Sequence, residues 1–416
     1  MSNKNKFEFK LRFPEFKGKE TWADRKLSEV LFERKEKSTG KEEVFSVSVH
    51  KGVIDQIEHL GRSFAASNTE NYKRVLPGDI IYTKSPTGDF PFGIIKQSKV
   101  SKPVIVSPLY GVFRPETIDL GVILDAYFEY PERTINYLSS IVQKGAKNTI
   151  NINNETFLSK SLVLPTDKFE QQKIASCLSS LDEVITGEQQ KLELLKQHKK
   201  GLLQNLFPQE GETVPKLRFK EFENSGEWEV KKLGEVLEKN KEKNKDRKYT
   251  LVQSVSNKFG FINQNEYFEN RIVASKDTSN YYVIRKGCFA YNPSRIDVGS
   301  LAYKNDENIS IISPLYVSFK AKNDKVLDLY LLNWFRSNGF IEQMIFEGGV
   351  RNTLNFDNLI EISIPLPSLP EQEKIAACLS SLDEIITAQT QKIEQLQRHK
   401  KGLLQGLFPN MNEHHG

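Results

Sequence analysis

A spacing of apolar residues that alternates between four and three positions dominates two stretches of the chain. In the first stretch, from Glu170 to Pro208, the spaced positions are Ile174, Leu178, Leu181, Ile185, Leu192, Leu195, Leu202 and Leu206. In the second stretch, from Glu371 to Pro409, they are Ile375, Leu379, Leu382, Ile386, Ile393, Leu396, Leu403 and Leu407. A seam of this kind predicts a long coiled-coil helix. Polar residues interrupt it at matched places, namely Glu188 and Lys199 in one stretch and Gln389 and Lys400 in the other.

The two stretches are copies of one another. They read EQQKIASCLSSLDEVITGEQQKLELLKQHKKGLLQNLFP and EQEKIAACLSSLDEIITAQTQKIEQLQRHKKGLLQGLFP, and roughly seven positions in ten are identical, which marks a true internal repeat. At about 1.5 Å per residue each helix is on the order of 55–60 Å long. Because each apolar stripe has to be buried, we expect the two helices to pack as an antiparallel coiled coil that relates the two halves of the chain by a pseudo-two-fold axis.

The regions before the two helices repeat each other more loosely. The shared strings are KLRFPEF and KLRFKEF, KLSEVL and KLGEVL, SVSVHKGVIDQ and SVSNKFGFINQ, SPLYGVF and SPLYVSF, and GAKNTINI and GVRNTLNF. Short helices are expected at KLSEVL and KLGEVL, a strand at SPLYGVFRP, and one helix from Ala126 to Val142. The predicted fold is α+β, a tandem duplication of a mixed α/β globule plus a long helix. The predicted boundaries are 1–165, 166–209, 210–366 and 367–410, with a disordered tail at 411–416.

The two globules have diverged widely, whereas the two helices have hardly diverged. This contrast indicates that the helices serve one shared task and that the globules perform different versions of a task. Two heads related by a two-fold axis suit a DNA duplex, whose backbone has the same symmetry. The helix length would then set the distance between two half-sites, and a partner protein would bind the two equivalent helical surfaces in two copies.

Composition sets outer limits on these interpretations. Apolar residues make up 38% of the 416, and the net charge of +5 permits nucleic-acid binding without demanding it. No apolar run reaches the length of a membrane span. The three cysteines, Cys177, Cys288 and Cys378, show no paired metal spacing, and the first and third are equivalent helix positions. We therefore expect a reduced, cytoplasmic protein without disulfides, metal or membrane contact.

The usual signatures of catalysis and cofactor binding are missing from the sequence. It contains neither a GxxxxGK[ST] phosphate loop nor a GxGxxG turn. NPSR, at Asn292 to Arg295, superficially resembles the Asn-Pro-Pro-aromatic motif of adenine methyltransferases but lacks the second proline and the aromatic residue. His198 and His399 are matched helix positions that favour surface or partner contact over metal binding. The sequence thus predicts neither an active site nor a cofactor.

The whole arrangement resembles the specificity subunit of type I restriction–modification systems, the HsdS family. The resemblance is carried by LPTDKFEQQKIASCLSSLDEVI, by PLPSLPEQEKIAACLSSLDEII, and by the endings HKKGLLQNLFP and HKKGLLQGLFP. It implies two target-recognition domains separated by helical spacers, and no catalysis. The implied partners are double-stranded DNA with a split asymmetric target, two adenine methyltransferase subunits and, for restriction, translocase–nuclease subunits.

Polar and basic residues in matched loops of the globules are the candidate DNA contacts. Arg and Lys suit guanine or phosphate, and Asn can pair with adenine through two hydrogen bonds. The candidates are Arg62, Thr83, Lys84, Ser85, Lys147, Asn148, Arg271, Asn292, Ser294, Arg295, Arg351 and Asn352. For the Gly-x-x-Asn-Thr pairs, a structural turn is the alternative interpretation. The run KNKEKNKDRK at Lys239 to Lys248 fits a solvated loop first and a phosphate-tracking loop second.

Two other classes of protein remain open at the level of sequence. A coiled-coil adaptor would have globules that bind proteins rather than DNA. An enzyme fragment would be the recognition part of a fused methyltransferase–nuclease, and the missing catalytic motifs count against it.

Overall fold

The computed structural model describes residues 7–62, 68–144, 150–209, 211–257, 259–264, 277–344 and 353–409, with the backbone alone at 143–144 and 150–151. By packing, the chain divides into two compact units. Unit 1 comprises Met1–Gln189 and Gln391–Gly416, and unit 2 comprises Gln190–Thr390. Within the described ranges, no helix is long and apolar enough to cross a membrane. The boundaries predicted from the sequence repeat, which separate globules from helices, stay a prediction.

Unit 1 alternates short strands with short helices before its first long helix. Its strands are β1 Trp22–Lys26, β2 Leu31–Glu33, β3 Phe45–Ser48, β4 Gly52–Asp55, β5 Lys73–Val75, β6 Ile80–Tyr82, β7 Ile95–Gln97, β8 Val104–Val106, β9 Gly111–Pro115, β10 Gln143–Lys144, β11 Ile150–Asn151 and β12 Ser161–Pro165. Its short helices are α1 Leu27–Val30, α2 Gln56–Leu60, α3 Ile118–Phe128, α4 Pro131–Ser139 and α5 Asn154–Leu158, with a 3-10 turn at Pro14–Phe16.

The central sheet of unit 1 has the strand order β2-β9-β6-β7, and every neighbouring pair is antiparallel. Two-stranded pairs surround it: β1 with β12, β3 with β4, β5 with β8 and β10 with β11. Strand β6, which is buried throughout, lies between β9 and β7. The loop that leaves its end is therefore fixed by the best-packed part of the sheet.

Unit 2 repeats this order of elements and continues into the second long helix. Its strands are β13 Glu229–Lys232, β14 Leu237–Lys239, β15 Gln253–Ser256, β16 Gly260–Asn263, β17 Tyr282–Ile284, β18 Cys288–Tyr291, β19 Leu301–Tyr303, β20 Ser310–Ile312, β21 Val317–Ala321 and β22 Ser363–Leu366. The long helix of the first half is α6, Lys168–Asn205. The short helices of unit 2 are α7 Leu233–Val236, α8 Asp328–Trp334, α9 Asn338–Ile341 and α10 Phe356–Glu361, and the second long helix is α11, Leu369–Leu407.

The strand orders confirm that the fold is duplicated. The central sheet of unit 2 is β14-β21-β18-β19, which is the order of unit 1 with each strand replaced by its repeat. The predicted short helices at KLSEVL and KLGEVL are present as α1 and α7. The single helix expected from Ala126 to Val142 is wrong. Helix α3 ends at Phe128 and α4 begins at Pro131, because proline donates no N–H and favours the first turn of a new helix.

The mixed α/β fold with two packed long helices is as predicted, and the helix ends have local causes. The Asp167 carboxylate accepts hydrogen bonds from the backbone N–H groups of Phe169 and Glu170 at 2.8 and 3.0 Å, so it caps α6. Helix α11 has Pro370 in its first turn, where proline costs no hydrogen bond. Another correction concerns SPLYGVFRP, since β9 begins only at Gly111 and Ser107–Tyr110 forms a turn.

The long helices contribute directly to the core of each unit. In unit 1, Ile174 and Leu178 of α6 join Leu404 and Leu407 of α11 in one buried cluster with the sheet. In unit 2, Ile375 and Leu379 of α11 join Leu206 and Phe207 in the equivalent cluster. Burial of each such side chain contributes about 1.5–3 kcal/mol relative to exposure. The helices are therefore part of both cores and not detached spacers.

Candidate nucleic-acid interface and helix pairing

Within unit 1 the two long helices are joined by ion pairs that define an antiparallel register. Lys400 of α11 lies 2.7 Å from the Asp182 carboxylate of α6, and Lys392 lies 2.5 Å from Glu188. The later residue of α6 therefore pairs with the earlier residue of α11, as antiparallel helices require. Lys400 has a second carboxylate partner, Glu129, at 2.6 Å.

The same ion pair occurs in unit 2 with the roles of the helices exchanged. Lys199 of α6 lies 2.5 Å from the Asp383 carboxylate of α11. Lys199 and Lys400 are equivalent positions of the repeat, as are Asp182 and Asp383. The two lysines that interrupt the apolar seam are thus the residues that pair, and their side chains are only 14% and 13% exposed. Polar seam residues of this kind fix register at some expense in stability.

The charges around Lys400 stabilise one another. Burial disfavours the ionised form of Asp182, but the hydrogen bond from Lys400 and the charge of Lys99 outweigh burial and lower the pKa of Asp182 below its usual value. Burial likewise opposes the charge on Lys400, yet Glu129 and Asp182 together raise the pKa of Lys400. Both members of the pair are therefore charged over the whole neutral range.

A buried carboxylate anchors the first turn of each long helix. Glu170 of α6, 1% exposed, accepts two hydrogen bonds from Arg12 at 2.9 and 3.1 Å. Glu371 of α11, also 1% exposed, accepts two from Arg218 at 2.7 and 2.8 Å. This bidentate geometry is the strongest form of an arginine–carboxylate contact. The hydrogen bond to Glu371 raises the pKa of Arg218.

All twelve predicted helix-seam residues are buried or half-buried. The set is Ile174, Leu178, Leu181, Ile185, Leu192, Leu195, Ile375, Leu379, Leu382, Ile386, Ile393 and Leu396. Apolar residues are also exposed beside the seam, among them the equivalent Val184 and Ile385, 48% and 50% exposed. An apolar position exposed at the same place in both helices suits contact with a partner.

The candidate loop of unit 1 follows β6 and contains Thr83, Lys84 and Ser85. Thr83 does not fit an exposed contact, because it is 3% exposed and its hydroxyl accepts a hydrogen bond from the Ile94 N–H at 3.1 Å. It closes the hairpin instead. Lys84 has a backbone φ of 59°, in the left-handed region that few residues other than glycine adopt. Ser85 is exposed.

The charge of a second lysine, Lys73 on β5, acts on Lys84. Burial lowers the pKa of Lys84, the charge of Lys73 lowers it further, and Glu33 opposes both effects. Burial also lowers the pKa of Lys73, whose ammonium group donates to the Tyr110 carbonyl at 2.7 Å. A lowered pKa means that the charged form of each lysine is disfavoured, and a nearby anion would stabilise that form. The loop is therefore suited to bind a phosphate group.

The candidate loop of unit 2 follows β18, the strand equivalent to β6. The Asn292 side-chain oxygen accepts a hydrogen bond from the Ser294 N–H at 3.1 Å, while Ser294 and Arg295 are exposed. The Pro293 carbonyl accepts from the Leu354 N–H at 3.0 Å.

Of the remaining candidate DNA contacts, only Arg62 lies within the described residues. Arg62 is exposed and follows α2, away from the loop after β6 in sequence. Five candidates, Lys147, Asn148, Arg271, Arg351 and Asn352, lie outside the described residues. Within unit 1 the loop brings Lys84 and Ser85 together, and within unit 2 it brings Asn292, Ser294 and Arg295 together. In the described ranges, no group of three His, Cys, Asp or Glu could hold a metal ion.

The sequence interpretation missed the carboxylates Asp182, Asp383, Glu170 and Glu371. A signal for them was present. Each belongs to a string that is identical in both repeats, SSLDE or EQ, and the two lysines on the apolar seam required carboxylate partners. The arginines of the two KLRF strings were the second half of that signal.

Comparison with known proteins agrees with this architecture. Residues 225–398 match the family described as the type I restriction modification DNA specificity domain. The specificity subunit of the type I restriction enzyme MjaVIII of Methanocaldococcus jannaschii is 27% identical over 273 residues, covering 59% of this chain and 61% of that protein. The specificity subunit named for the MjaX enzyme of the same organism is 26% identical over 284 residues, covering 63% and 62%. The chain thus spans less than two thirds of the length of these relatives.

Two solved structures share the fold. An S subunit of a type I restriction–modification system from M. genitalium aligns with a TM-score of 0.56 and 13% identity, covering 97% of this chain and 100% of that one. A chain from a structural study of the assembly and conformational transition of the type I system aligns with a TM-score of 0.51 and 17% identity, covering 96% and 99%. At these identities the likeness concerns the fold alone.

The duplicated sheet and the paired helices are the features that this fold similarity covers. Residues 225–398, which match that family model, include most of the second globular region and most of α11, so the similarity agrees with the resemblance drawn from the repeated helices.

Proposed function

We propose that this protein is the non-catalytic specificity subunit of a cytoplasmic type I restriction–modification complex and that it reads a bipartite DNA target. Each unit supplies one target-recognition domain. The two long helices dock two methyltransferase subunits, and two translocase–nuclease subunits join the complex for restriction. The related proteins are named specificity subunits of type I restriction enzymes, which supports this assignment.

One observation carries the proposal: the same aspartate–lysine pairing of the helices occurs in both units, whereas the loops after β6 and β18 differ. The Asp182–Lys400 and Asp383–Lys199 pairs repeat residue for residue. The loops after β6 and β18, at the same place in the two sheets, present Lys84 and Ser85 in one unit and Asn292 and Arg295 in the other. Equivalent helices suit two copies of one partner, and unlike loops suit two unlike half-sites.

The DNA contacts proposed are the exposed or half-buried members of the predicted set. In the described ranges these are Arg62, Lys84, Ser85, Asn292, Ser294 and Arg295. Lys147, Asn148, Arg271, Arg351 and Asn352 remain in the proposal on sequence grounds alone. Thr83 is left out because its hydroxyl is buried in the hairpin.

Mapping of adenine methylation across the genome, in cells with and without this gene, tests the proposal. We expect methylation to disappear at one asymmetric motif, two short half-sites around a fixed gap, when the gene is removed. The measurement is repeated with a co-expressed partner methyltransferase, because methylation would also be absent if the source cell did not express that subunit. Unchanged methylation in both settings would contradict the proposal, and globules that capture proteins but leave DNA unbound would establish the adaptor alternative.

A further inference from the structure

A polar cleft in unit 2 lies between the β15–β16 hairpin and the loop after β18. It has a volume of about 250 Å³. Its lining includes Ser254, Ser256, Asn257, Asn292, Arg295 and Tyr316, and the described lining residues include no carboxylate. The hairpin residues come some forty positions before the loop in sequence, so only the fold brings the two walls together. A cleft rich in hydroxyl and amide groups with one cation suits an electron-rich, hydrogen-bonding ligand.

Polar contacts from Gln264 and Lys304 stabilise the β15–β16 hairpin, which forms one wall of the cleft. Gln264 donates to the Ser254 hydroxyl at 2.8 Å. Lys304, which is 1% exposed, donates to the Gln253 side-chain oxygen at 3.1 Å and pairs with Asp306 at 3.0 Å. These contacts hold Gln253 and Ser254 of the hairpin in place through groups of the protein itself.

The loop wall is held by its own backbone. The Arg295 N–H donates to the Asn292 carbonyl, and the Arg295 carbonyl accepts from the Ser300 N–H, each at 3.0 Å. The Asn257 side chain reaches across to the Val298 carbonyl at 3.4 Å. Main-chain atoms alone therefore fix Arg295, and its side chain is exposed. Among the residues that the structure describes, the guanidinium group has no hydrogen-bond or ion-pair partner.

Exposed apolar side chains lie on the segments that form the cleft, and one of them, Val298, lines it. Phe259 at the tip of the hairpin is 70% exposed, Val298 in the loop is 58% exposed, and Leu315 beside Tyr316 is 82% exposed. Single exposed apolar residues are ordinary, but several around one polar cleft mark a binding surface. Tyr316 and Arg295 line the same cleft, and an aromatic ring together with an arginine can contact nucleobases by stacking and by hydrogen bonds.

The equivalent place in unit 1 has different chemistry. Thr83 occupies the position of Asn292, and its hydroxyl is already bonded within the hairpin. Ser48, the counterpart of Ser256, is 8% exposed. The nearby cations are Lys84 and Lys73, which suit phosphate rather than a base edge. The polar cleft of unit 2 therefore differs in its chemistry from the equivalent place in unit 1.

We infer that this cleft is the base-contacting subsite of unit 2 and that Arg295 binds the O6 and N7 atoms of a guanine in the half-site that this unit reads. The inference rests on the proposed function and deepens it. Asn292 and Asn257 line the same cleft and add amide groups to it, and the exposed Phe259 of the same hairpin would supply an apolar contact to a neighbouring nucleotide. Arginine is the side chain best suited to guanine, because its planar fork matches two acceptors at once.

Selection from a randomised duplex library tests the inference. The full chain with its methyltransferase subunits would be incubated with DNA carrying two random segments, and bound duplexes would be sequenced. For Arg295→Ala we expect one G·C preference in one half-site to weaken about tenfold or more, with the other half-site and the gap unchanged. Arg295→Lys should lose the same preference, because an ammonium group cannot bind both acceptors in the same fork geometry.

Lys84→Ala, in the equivalent loop of unit 1, is the matched control. It should leave the guanine preference intact. Phe259→Ala should weaken binding about tenfold for all sequences alike. Equal base preferences in wild type and Arg295→Ala would overturn the inference, as would a uniform loss of affinity or a loss of methyltransferase binding alone. If the wild-type chain selects no sequence, the proposed function itself fails, so the two failures are distinguishable.

Discussion

At the scale of single residues, the two seam lysines set the register of the long helices. Lys199 and Lys400 occupy positions where the heptad pattern calls for leucine or isoleucine, and each pairs with an aspartate of the opposite helix. A lysine held on a seam has to keep its charge, and it can do so only where a carboxylate lies opposite. A helix shifted by one turn would leave both lysines without a partner.

Asp383→Asn should destabilise the protein more than Asp182→Asn. Lys400 keeps Glu129 at 2.6 Å when Asp182 is neutralised, whereas Asp383 is the carboxylate that pairs with Lys199 among the described residues. Because these pairs are partly exposed, we expect a loss of about 1–2 kcal/mol for Asp383→Asn and less for Asp182→Asn. Urea denaturation of the two variants measures the difference, and an equal or reversed order would contradict this account.

The pH dependence of Asp182→Asn provides an internal control. The folded-state pKa of Asp182 is lowered, so its contribution is present above the unfolded value of about 3.9 and is lost as pH falls through the folded pKa. The pKa of Lys400 is raised, so its contribution is present below about 10.4 and is lost as pH rises through the folded pKa. The Tm difference between wild type and variant should be constant from about pH 5 to 9 and shrink in stronger acid.

These residues show where sequence reasoning stopped. The seam identified Lys199 and Lys400 as interruptions, but their partners look like ordinary surface aspartates in SSLDE. Matching each lysine to its aspartate requires the antiparallel register of the two helices. The apolar spacing along one helix does not determine that register. The cleft around Arg295 was equally out of reach, because Ser256 and Asn257 belong to a separate hairpin. Only the Asn292 side of that cleft follows from matching the two repeats.

At the scale of elements, each long helix ends against the KLRF segment of its unit. The Leu11 N–H donates to the Gly406 carbonyl at 3.0 Å in unit 1, and the Leu217 N–H donates to the Asn205 carbonyl at 2.8 Å in unit 2. A Cβ atom at Gly406 would lie 2.6 Å from the Leu11 side chain. An alanine at Gly406 would therefore have to displace the Leu11 side chain from its present position.

Gly406→Ala should therefore destabilise unit 1, whereas Gly402→Ala should be neutral or stabilising. The two glycines lie one turn apart on α11, and a Cβ at Gly402 would meet nothing within 4 Å. Alanine there gains about 0.5–1 kcal/mol of helix propensity. At Gly406 the clash should outweigh that gain by about 1–3 kcal/mol. Thermal unfolding of both variants measures the effect, and a stabilised Gly406→Ala protein would contradict the contact.

The elements themselves were largely predictable, for physical reasons. Apolar periodicity predicted α6 and α11, because a spacing that alternates between four and three residues over many turns is typical of a coiled-coil helix. The match between copies gave the duplicated sheet. The break between α3 and α4 was missed although Pro131 marks it, because the apolar spacing continues across the proline. All three residues of β6 are buried, so short strands of this kind lack the alternation of apolar and polar residues that predicts a strand.

At the scale of the whole molecule, the seam links folding to assembly. Leu195 and Leu396 are equivalent half-buried residues, one in each unit. If the helices dock methyltransferase subunits, damage to the seam should affect assembly before it affects base preference. The reading loops lie on the sheets and not on the helices, so the two properties are separable.

Leu195→Asp combined with Leu396→Asp should cost about 2 kcal/mol or more per site and weaken the complex. Gel filtration with co-expressed methyltransferase measures assembly, and the fraction that still assembles should keep its half-site preference. Leu194→Asp is the matched control for folding, because Leu194 is 64% exposed and should leave the Tm nearly unchanged. An intact complex in the double variant would contradict the role of the seam.

The ion pairs also have an evolutionary consequence. Each helix carries both an aspartate and the lysine that answers it, so the pairing surface is complementary to a copy of itself, as in an isologous contact. Any helix with this pattern can pair with any other, whatever globule precedes it. Recombination between two genes within the helical segment would thus exchange one globule and preserve both aspartate–lysine pairs. A new combination of half-sites could arise in one step, with no compensating change in the helices.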